Sequence, residues 1–319
     1  MIGKIKLEKL LLENKYIVGD NIDVLESLDS KYDFCYIDPP YNTGRNFGDF
    51  GDSFKNMDEF IDFLKPRFEL IHKKLKKSGN LVVHIDSISS HYVKVCLDSI
   101  FGIKNFKNEL IVTTSNMKAV KKKLMRSHDV LLVYSKNSNK STYNQQYTPY
   151  EDGGTKGKVD ERGEYITSAA KNSQPNVIVR PNLRYEWNGH KFQWWISKEK
   201  MQKLHDENRL EYNDIGIPRI KRYFNEMKGI PFKDVWTDIS SIQGKEKLDY
   251  ATQKPIKLLE RLLDLYTNKT DLCLDIFAGS GTLGRACLNK NRNFVLIDIN
   301  PKGKIVFEES MSDTIYKFL

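Results

Sequence analysis

The chain has 319 residues and carries 51 Lys+Arg against 42 Asp+Glu, a formal net charge of +9. This length holds two domains of about 150 residues each, or one enlarged α/β domain. Hydrophobic residues at 39%, a mean hydropathy of −0.54 and apolar runs of only a few residues exclude a spanning helix of about 20 apolar residues, and the basic balance points to a polyanionic partner.

No apolar stretch follows Met1-Ile2-Gly3-Lys4-Ile5-Lys6, so no secretory signal is expected and a cytoplasmic location is. Tyr16-Ile17-Val18 reads as a short strand ending at Gly19-Asp20. Asp33 to Ile37 reads as a second strand that stops at Asp38-Pro39-Pro40, because consecutive prolines cannot continue a central ladder. From Met57 to Lys77 apolar residues recur at helical spacing (Phe60, Ile61, Leu64, Phe68, Ile71, Leu75), and Ser78-Gly79-Asn80 ends the helix. A buried strand over Leu81–Ile85 and a helix to about Ile100 follow, then strands over Leu110–Thr114 and Val130–Tyr134 joined by a basic loop. Strands alternating with helices of this length predict a mainly parallel sheet. Cys35, Cys96, Cys273 and Cys287 are widely spaced in apolar segments and read as small buried hydrophobes of a reducing compartment. No metal ligand spacing is present, and His84, at the end of its strand near Asp86, reads as a satisfied structural histidine.

From about Asn137 to Lys247 the signals become short and irregular. All four tryptophans (Trp187, Trp194, Trp195, Trp236) lie there, and such aromatic content argues for an inserted domain rather than disorder. The expected organisation is a first half over 1–139, an insert over 140–247 and a second half over 248–319. The α/β pattern resumes with Pro255 opening a helix, a strand over Leu272–Phe277, a helix over Thr282–Lys290 and a strand over Phe294–Ile299.

Two loops carry chemistry. The segment Asp275 to Gly284 lies between a strand and a helix and contains Gly279-x-Gly281-x-x-Gly284, with Asp298 closing the next strand. Glycines there bring backbone N–H groups to a ligand at a helix N-terminus, and the acid suits ribose hydroxyls. The lack of a Lys-Ser/Thr pair excludes a P-loop. NAD needs a second mononucleotide half, for which too little chain follows Asp298, so a mononucleoside such as S-adenosylmethionine fits better. The other loop, Asp38-Pro39-Pro40-Tyr41, presents a carboxylate, a carbonyl and an aromatic ring together at a strand end. Acceptors for the two N–H groups of an exocyclic amine would localise its lone pair for attack. The Tyr41 ring would stack on the base, which must leave a duplex to reach the loop.

Asp38-Pro39-Pro40-Tyr41 with Phe277-Ala278-Gly279-Ser280-Gly281-Thr282 resembles the β-class DNA amino-methyltransferases. Further stretches resemble the adenine-methylating modification subunits of type III restriction systems: Asp38 to Phe47, Arg180 to Trp187, Trp195 to Glu199, Asp234 to Ile239 and Thr252-Gln253-Lys254-Pro255. The likeness covers roughly residues 16 to 302. It departs at Ile276, where the family usually has Pro, and in length, so that a solitary or type II-like enzyme stays open. The resemblance implies a circularly permuted, Rossmann-like methyltransferase sheet with an inserted target-recognition domain. It implies S-adenosylmethionine as cofactor, double-stranded DNA as substrate, and a second copy of the chain or a restriction subunit as further partners. It assigns Asp38, Pro39, Pro40 and Tyr41 to catalysis. Asp275, Phe277, Ala278, Gly279, Gly281 and Thr282 would surround the cofactor and Asp298 its ribose. Thr252 and Lys254 would hold its carboxylate end, and Asp20 would lie near the adenosine. Asp rather than Ser at position 38 favours adenine N6 over cytosine N4, which shares the same chemistry. Other readings are a non-catalytic DNA-binding subunit and a nicotinamide oxidoreductase. No Pro-Cys nucleophile is present for carbon-5 chemistry, since Cys35 lies inside a strand.

Between residues 104 and 140 nine basic side chains face two acidic ones. Lys118, Lys121, Lys122, Lys123 and Arg126 are therefore expected to grip the DNA backbone.

Overall fold

The computed structural model describes residues 14–41, 45–46, 51–52, 54–114, 121–122, 124–150, 152, 154–174, 178–239 and 241–315. It divides into two compact units, one comprising Met1–Gln145 with Lys233–Leu319 and the other Gln146–Phe232.

The first unit is built on an eight-stranded sheet. In chain order its strands are β1 (Lys15–Val18), β2 (Tyr32–Ile37), β3 (Leu75–Asp86), β4 (Phe106–Thr113), β5 (His128–Ser135), β6 (Val235–Trp236), β7 (Leu272–Asp275) and β8 (Asn293–Asp298). Their spatial order is β1-β8-β7-β2-β3-β5-β4-β6. All neighbours run parallel except β5, which is antiparallel to both β3 and β4. The sheet is thus mixed, and the reversal has a local cause: no helix separates β4 from β5 among the described residues, so the chain turns straight back.

Among the described residues six α-helices accompany the sheet: α1 (Asn21–Ser27), α2 (Met57–Lys74), α3 (Ser90–Phe101), α4 (Ile256–Tyr266), α5 (Thr282–Asn289) and α6 (Pro301–Ile315). Asn56 caps α2 by accepting from Glu59 N at 2.8 Å, and the Glu59 carboxylate reaches back to Lys55 N at 2.7 Å. The helix ends at Lys74 rather than at the expected Lys77. Leu75 turns extended and pairs with Tyr32 at the start of β3, so the last apolar residue of the helical pattern is buried by the sheet instead.

The period-two alternation of the strands sorts the two faces. Cys35, Ile37, Leu81, Val83 and Ile85 pack with Phe60, Leu64, Phe68 and Ile71 of α2 and Val93 and Leu97 of α3. Phe34 points the other way and stacks on Tyr266 of α4 at 6.4 Å between centroids. Tyr36, His84 and Asp86, also of even number, share that second face.

The Gln146–Phe232 unit is narrower than the 140–247 stretch expected from sequence. Trp236, counted there with the other tryptophans, belongs to β6 and joins the main sheet through Val112. The unit contains a four-stranded antiparallel sheet in the order Leu210–Tyr212, Pro218–Tyr223, Gly163–Ala169, Lys158–Asp160. A hairpin pairs Arg184–Trp187 with His190–Gln193. Its turn, Asn188-Gly189, has φ of 47° and 76°, the left-handed geometry that a two-residue hairpin requires. Trp194 is fully buried among Ala170, Met201, Leu210 and Ile220, and its indole N–H donates to Tyr185 O at 2.9 Å. Replacing Trp194 with Ala should destabilise this unit by about 3–5 kcal/mol. Amide exchange within Gln146–Phe232 should accelerate while β2, β3 and β5 keep their protection.

Candidate active site

The carboxyl ends of β1, β2, β7 and β8 open on a cleft of about 900 Å³ within the first unit. Parallel strands direct their following loops to one sheet edge, where ligand sites of open α/β sheets form.

The glycine loop after β7 forms one side. Gly279 and Gly281 have φ of 49° and 70°, and Gly281 caps the N-terminus of α5. A side chain at Gly281 would run into Phe307, and one at Gly279 would come within 3.0 Å of the Tyr250 ring. The loop is braced from three strands. Asp298 Oδ2 accepts from Gly279 N at 2.7 Å and its Oδ1 from Asn300 N at 2.8 Å. The Tyr16 hydroxyl donates to Gly279 O at 2.7 Å, and Asp275 Oδ1 accepts from Phe277 N at 2.9 Å. Asn21 Nδ2 donates to Ile276 O at 3.0 Å while Asn21 Oδ1 accepts from Arg67 Nε at 2.8 Å. Asp20 caps α1 through Ile22 N at 2.8 Å. Burial pushes the Asp275 carboxyl well above the usual carboxylate range, and the nearby Asp38 and Asp298 add to this. Burial likewise raises Asp298.

The Asp38 loop faces it. The Tyr41 hydroxyl donates to Asp38 Oδ1 at 2.6 Å. Lys254, from the segment before α4, places its ammonium 2.7 Å from the Tyr41 hydroxyl and 2.9 Å from Asp38 Oδ1. Burial, with Asp38 beside it, holds the Tyr41 phenol well above its ordinary range.

Behind Tyr41 lies a buried histidine. The His84 and Tyr41 ring centroids are 6.2 Å apart. His84 Nδ1 is 2.8 Å from the Tyr36 hydroxyl and Nε2 is 3.3 Å from Asp129 Oδ2. Burial, and the Lys254 charge after it, lower the His84 pKa, so the ring is neutral. The neutral tautomer that satisfies both partners carries its proton on Nε2 and accepts from Tyr36 at Nδ1. Burial works to raise Asp129, but the His84 hydrogen bond and the fields of Lys254 and Arg126 bring it below the usual range. Asp129 lies directly opposite Asp86 across the β3–β5 pair. Arg126 ion-pairs with buried Asp86, which offsets the repulsion between the facing acids.

The cleft gathers Asp38, Pro39, Pro40 and Tyr41 from the expected catalytic set. From the expected cofactor set it gathers Asp20, Thr252, Lys254, Asp275, Phe277, Ala278, Gly279, Thr282 and Asp298. Gly281 does not line it and serves the helix start instead. Lys254 also reaches the Asp38 loop. Of the basic loop, Arg126 lines the cleft, whereas Lys121 and Lys122 are exposed and do not. Lys118 and Lys123 lie outside the described residues. Tyr16, Asn21, Arg67 and Tyr250 brace the glycine loop and had no sequence signal beyond their closeness to strand ends or helices. Among the described residues no cluster of three metal-ligating side chains occurs, and no helix is long and apolar enough to cross a membrane.

A family model for N6/N4 methyltransferases, described as DNA methylase, matches residues 32–308. The chain belongs to the DNA methylase family. It is 29% identical over 320 residues to the type II methyltransferase M.KpnI of Klebsiella pneumoniae, covering 84% of this chain and 75% of that protein. It is 27% identical over 360 residues to the StyLTI Mod subunit, a type III restriction-modification enzyme subunit of Salmonella typhimurium. That match covers 90% of this chain but 52% of the subunit, so the chain spans about half the relative's length. Among solved structures, an M1.HpyAVI–SAM complex superposes with a TM-score of 0.51 at 16% identity, over 93% of this chain and 98% of that one. At this identity the likeness concerns the fold. This DNA methylase fold thus carries both family loops on one sheet edge.

The neutral His84 sets a pH dependence of stability. Its folded pKa lies below the ordinary 6.5, so the unfolded chain takes up the proton first as pH falls. The contribution is present above about pH 6.5 and is lost as pH drops through the folded value. His72, also lowered mainly by burial, acts in the same sense. Between pH 7 and 5 the urea midpoint of the wild type should therefore fall more steeply than that of His84→Gln.

Proposed function

We propose that this chain transfers the methyl group of S-adenosylmethionine to the N6 amino group of adenine in double-stranded DNA. The observation that carries this reading is that the Asp38 loop and the Gly279 loop line one cleft.

The residues present fit the cofactor. Asp20, Asp275 and Asp298 line the same cleft, an acidic setting that suits ribose hydroxyls, an amino group and a sulfonium, and that disfavours the diphosphate of a dinucleotide. Gly279 keeps the loop open where a side chain would crowd Tyr250. Asp298 and Asp20 would hold the nucleoside, Phe277 and Ala278 would flank it, and Thr252 would lie toward the amino-acid end. When bound, the cofactor supplies an electrophilic methyl group on sulfur. The M1.HpyAVI complex named above contains this molecule.

Asp38 then acts on the nucleophile. An exocyclic amino group shares its lone pair with the ring and attacks poorly. The Asp38 carboxylate and the Pro39 carbonyl accept its two N–H bonds, localise the lone pair and stabilise the positive charge that grows on nitrogen. The N–C bond forms as the C–S bond breaks, and the acidic product ammonium releases its proton to Asp38 or to water. No covalent enzyme intermediate is required, and the rate comes from positioning and electrostatics. The Tyr41 ring stacks the everted base. Adenine is favoured by Asp at position 38 and by the likeness to type III modification subunits; cytosine N4 would use the same atoms.

Nucleoside mass spectrometry of duplex DNA incubated with the purified chain and S-adenosylmethionine should show N6-methyladenine. N4-methylcytosine, or no modified base, would contradict the reading. Asp38→Ala should lower turnover at least about a hundred-fold while calorimetric cofactor binding stays within twofold of wild type.

The Gln146–Phe232 unit is proposed to choose the sequence, since its Arg, Asn and aromatic side chains suit base-edge contact. Exposed Lys121 and Lys122 are proposed to contact phosphates. Changing both to Gln should flatten the slope of log affinity against log salt by about one to two, equally for target and random duplexes. An unchanged slope would remove them from the interface.

A further inference from the structure

Lys254 lies 213 positions from Tyr41 in the chain, yet both its close contacts are in the Asp38 loop. Three distances close a triangle: Tyr41 hydroxyl to Asp38 Oδ1 at 2.6 Å, Lys254 Nζ to the same hydroxyl at 2.7 Å, and Lys254 Nζ to Asp38 Oδ1 at 2.9 Å. The ammonium also sits 4.8 Å from the Tyr41 ring centroid. The lysine and aspartate side chains are only 18% and 15% exposed, so water competes little for these contacts.

The chain on either side of Lys254 is held by its neighbours. Gln253 Oε1 accepts from Leu248 N at 2.8 Å and Gln253 Nε2 donates to Glu246 O at 2.7 Å. Glu246 Oε1 accepts from Ile256 N at 2.7 Å. The lysine is thereby delivered from a braced loop.

The Tyr41 hydrogen bond and the Lys254 ion pair converge on one carboxylate oxygen. Among the described residues Asp38 is bonded through Oδ1 alone, and its carboxylate cannot rotate about Cβ–Cγ without breaking the hydrogen bond and the ion pair. Its other oxygen, Oδ2, is then presented in one direction. We infer that Lys254 and the Tyr41 hydroxyl are positioning residues for methyl transfer, which lock Asp38 Oδ1 so that Oδ2 is the acceptor offered to the target amino group. This rests on the function proposed above, and it assigns the phenol oxygen a task that base stacking does not require. In the reaction the nitrogen lone pair forms the bond to the methyl carbon, the C–S pair stays on sulfur, and an amino proton passes to Oδ2.

A double-mutant cycle of Lys254→Met and Tyr41→Phe tests the inference. Each single change should lower kcat about ten- to hundred-fold, the cost of a misaligned reacting group. KM and calorimetric Kd for S-adenosylmethionine should stay within twofold, and the double variant should be no slower than the worse single one. Lys254→Arg should recover at least tenfold over Lys254→Met. Tyr41→Phe preserves shape, so the cycle does not depend on a disruptive replacement. Independently of turnover, ¹⁵N-lysine spectra should contain a slowly exchanging ammonium signal that vanishes in Lys254→Met and exchanges fast in Tyr41→Phe and Asp38→Asn. Additive costs, a raised cofactor Kd with unchanged kcat in Lys254→Met, or the lack of a protected ammonium signal would overturn it. A wild type that shows the protected signal but methylates no DNA would instead overturn the proposed function.

Discussion

The site depends on the insertion of β7 between β8 and β2. Cys273 pairs with Phe34 and Leu274 with Cys35 on one side, while Leu272 to Asp275 pair with Asn293 to Leu296 on the other. Because these strands are parallel, their C-terminal loops emerge at the same edge. A register slip of one residue would turn Asp275 and Phe34 to the wrong faces. The pairing therefore brings the Gly279 loop to the Asp38 loop, although more than two hundred residues separate them in the chain. The leucines of α4 and the Phe34–Tyr266 stack fix the helix that Lys254 immediately precedes.

The electrostatics of the cleft run against those of the chain. A protein of net charge +9 lines this cavity with five acids, Asp20, Asp38, Asp129, Asp275 and Asp298, against three cations, Arg67, Arg126 and Lys254. Each acid is held by a named donor or cation: Asp20 by Ile22 N, Asp38 by Lys254, Asp129 by His84, Asp275 by Phe277 N and Asp298 by Gly279 N. Buried carboxylates without such partners would cost several kcal/mol each. An acidic interior facing a cationic sulfonium, with lysines such as Lys121 and Lys122 on the exposed surface, is consistent with the proposed pairing of a positively charged cofactor and a polyanionic substrate.

Much of this was legible in the sequence because the relevant signals are local. Prolines end β2 at Asp38, glycines at 279 and 281 mark a left-handed turn into a helix, and alternating apolar strands announce the sheet. What the sequence did not reveal depends on register and reach. Tyr16 and Asn21 brace the glycine loop only because β1 pairs with β8 at the sheet edge. The resemblance assigns Lys254 to the cofactor's carboxylate end, and its ion pair with Asp38 adds a contact that depends on how far a flexible side chain reaches. His84 was correctly read as satisfied, but its partners, Tyr36 and Asp129, follow from the β2–β3 and β3–β5 pairings. The end of α2 at Lys74, the reversed β5 and the capture of Trp236 by the main sheet are each decided by what the neighbouring strand can bury.

One cleft at the carboxyl edge of the sheet is proposed to receive the cofactor beside the Asp38 loop. Hydrogen–deuterium exchange of the wild-type chain with and without S-adenosylmethionine tests it most directly. Exchange should slow at Phe277–Gly281, at Ile299 and Asn300 beyond β8, and at Thr252–Lys254, with the strands of Gln146–Phe232 unchanged. Protection confined to Gln146–Phe232, or no protection at the Gly279 loop with the cofactor at saturation, would contradict it.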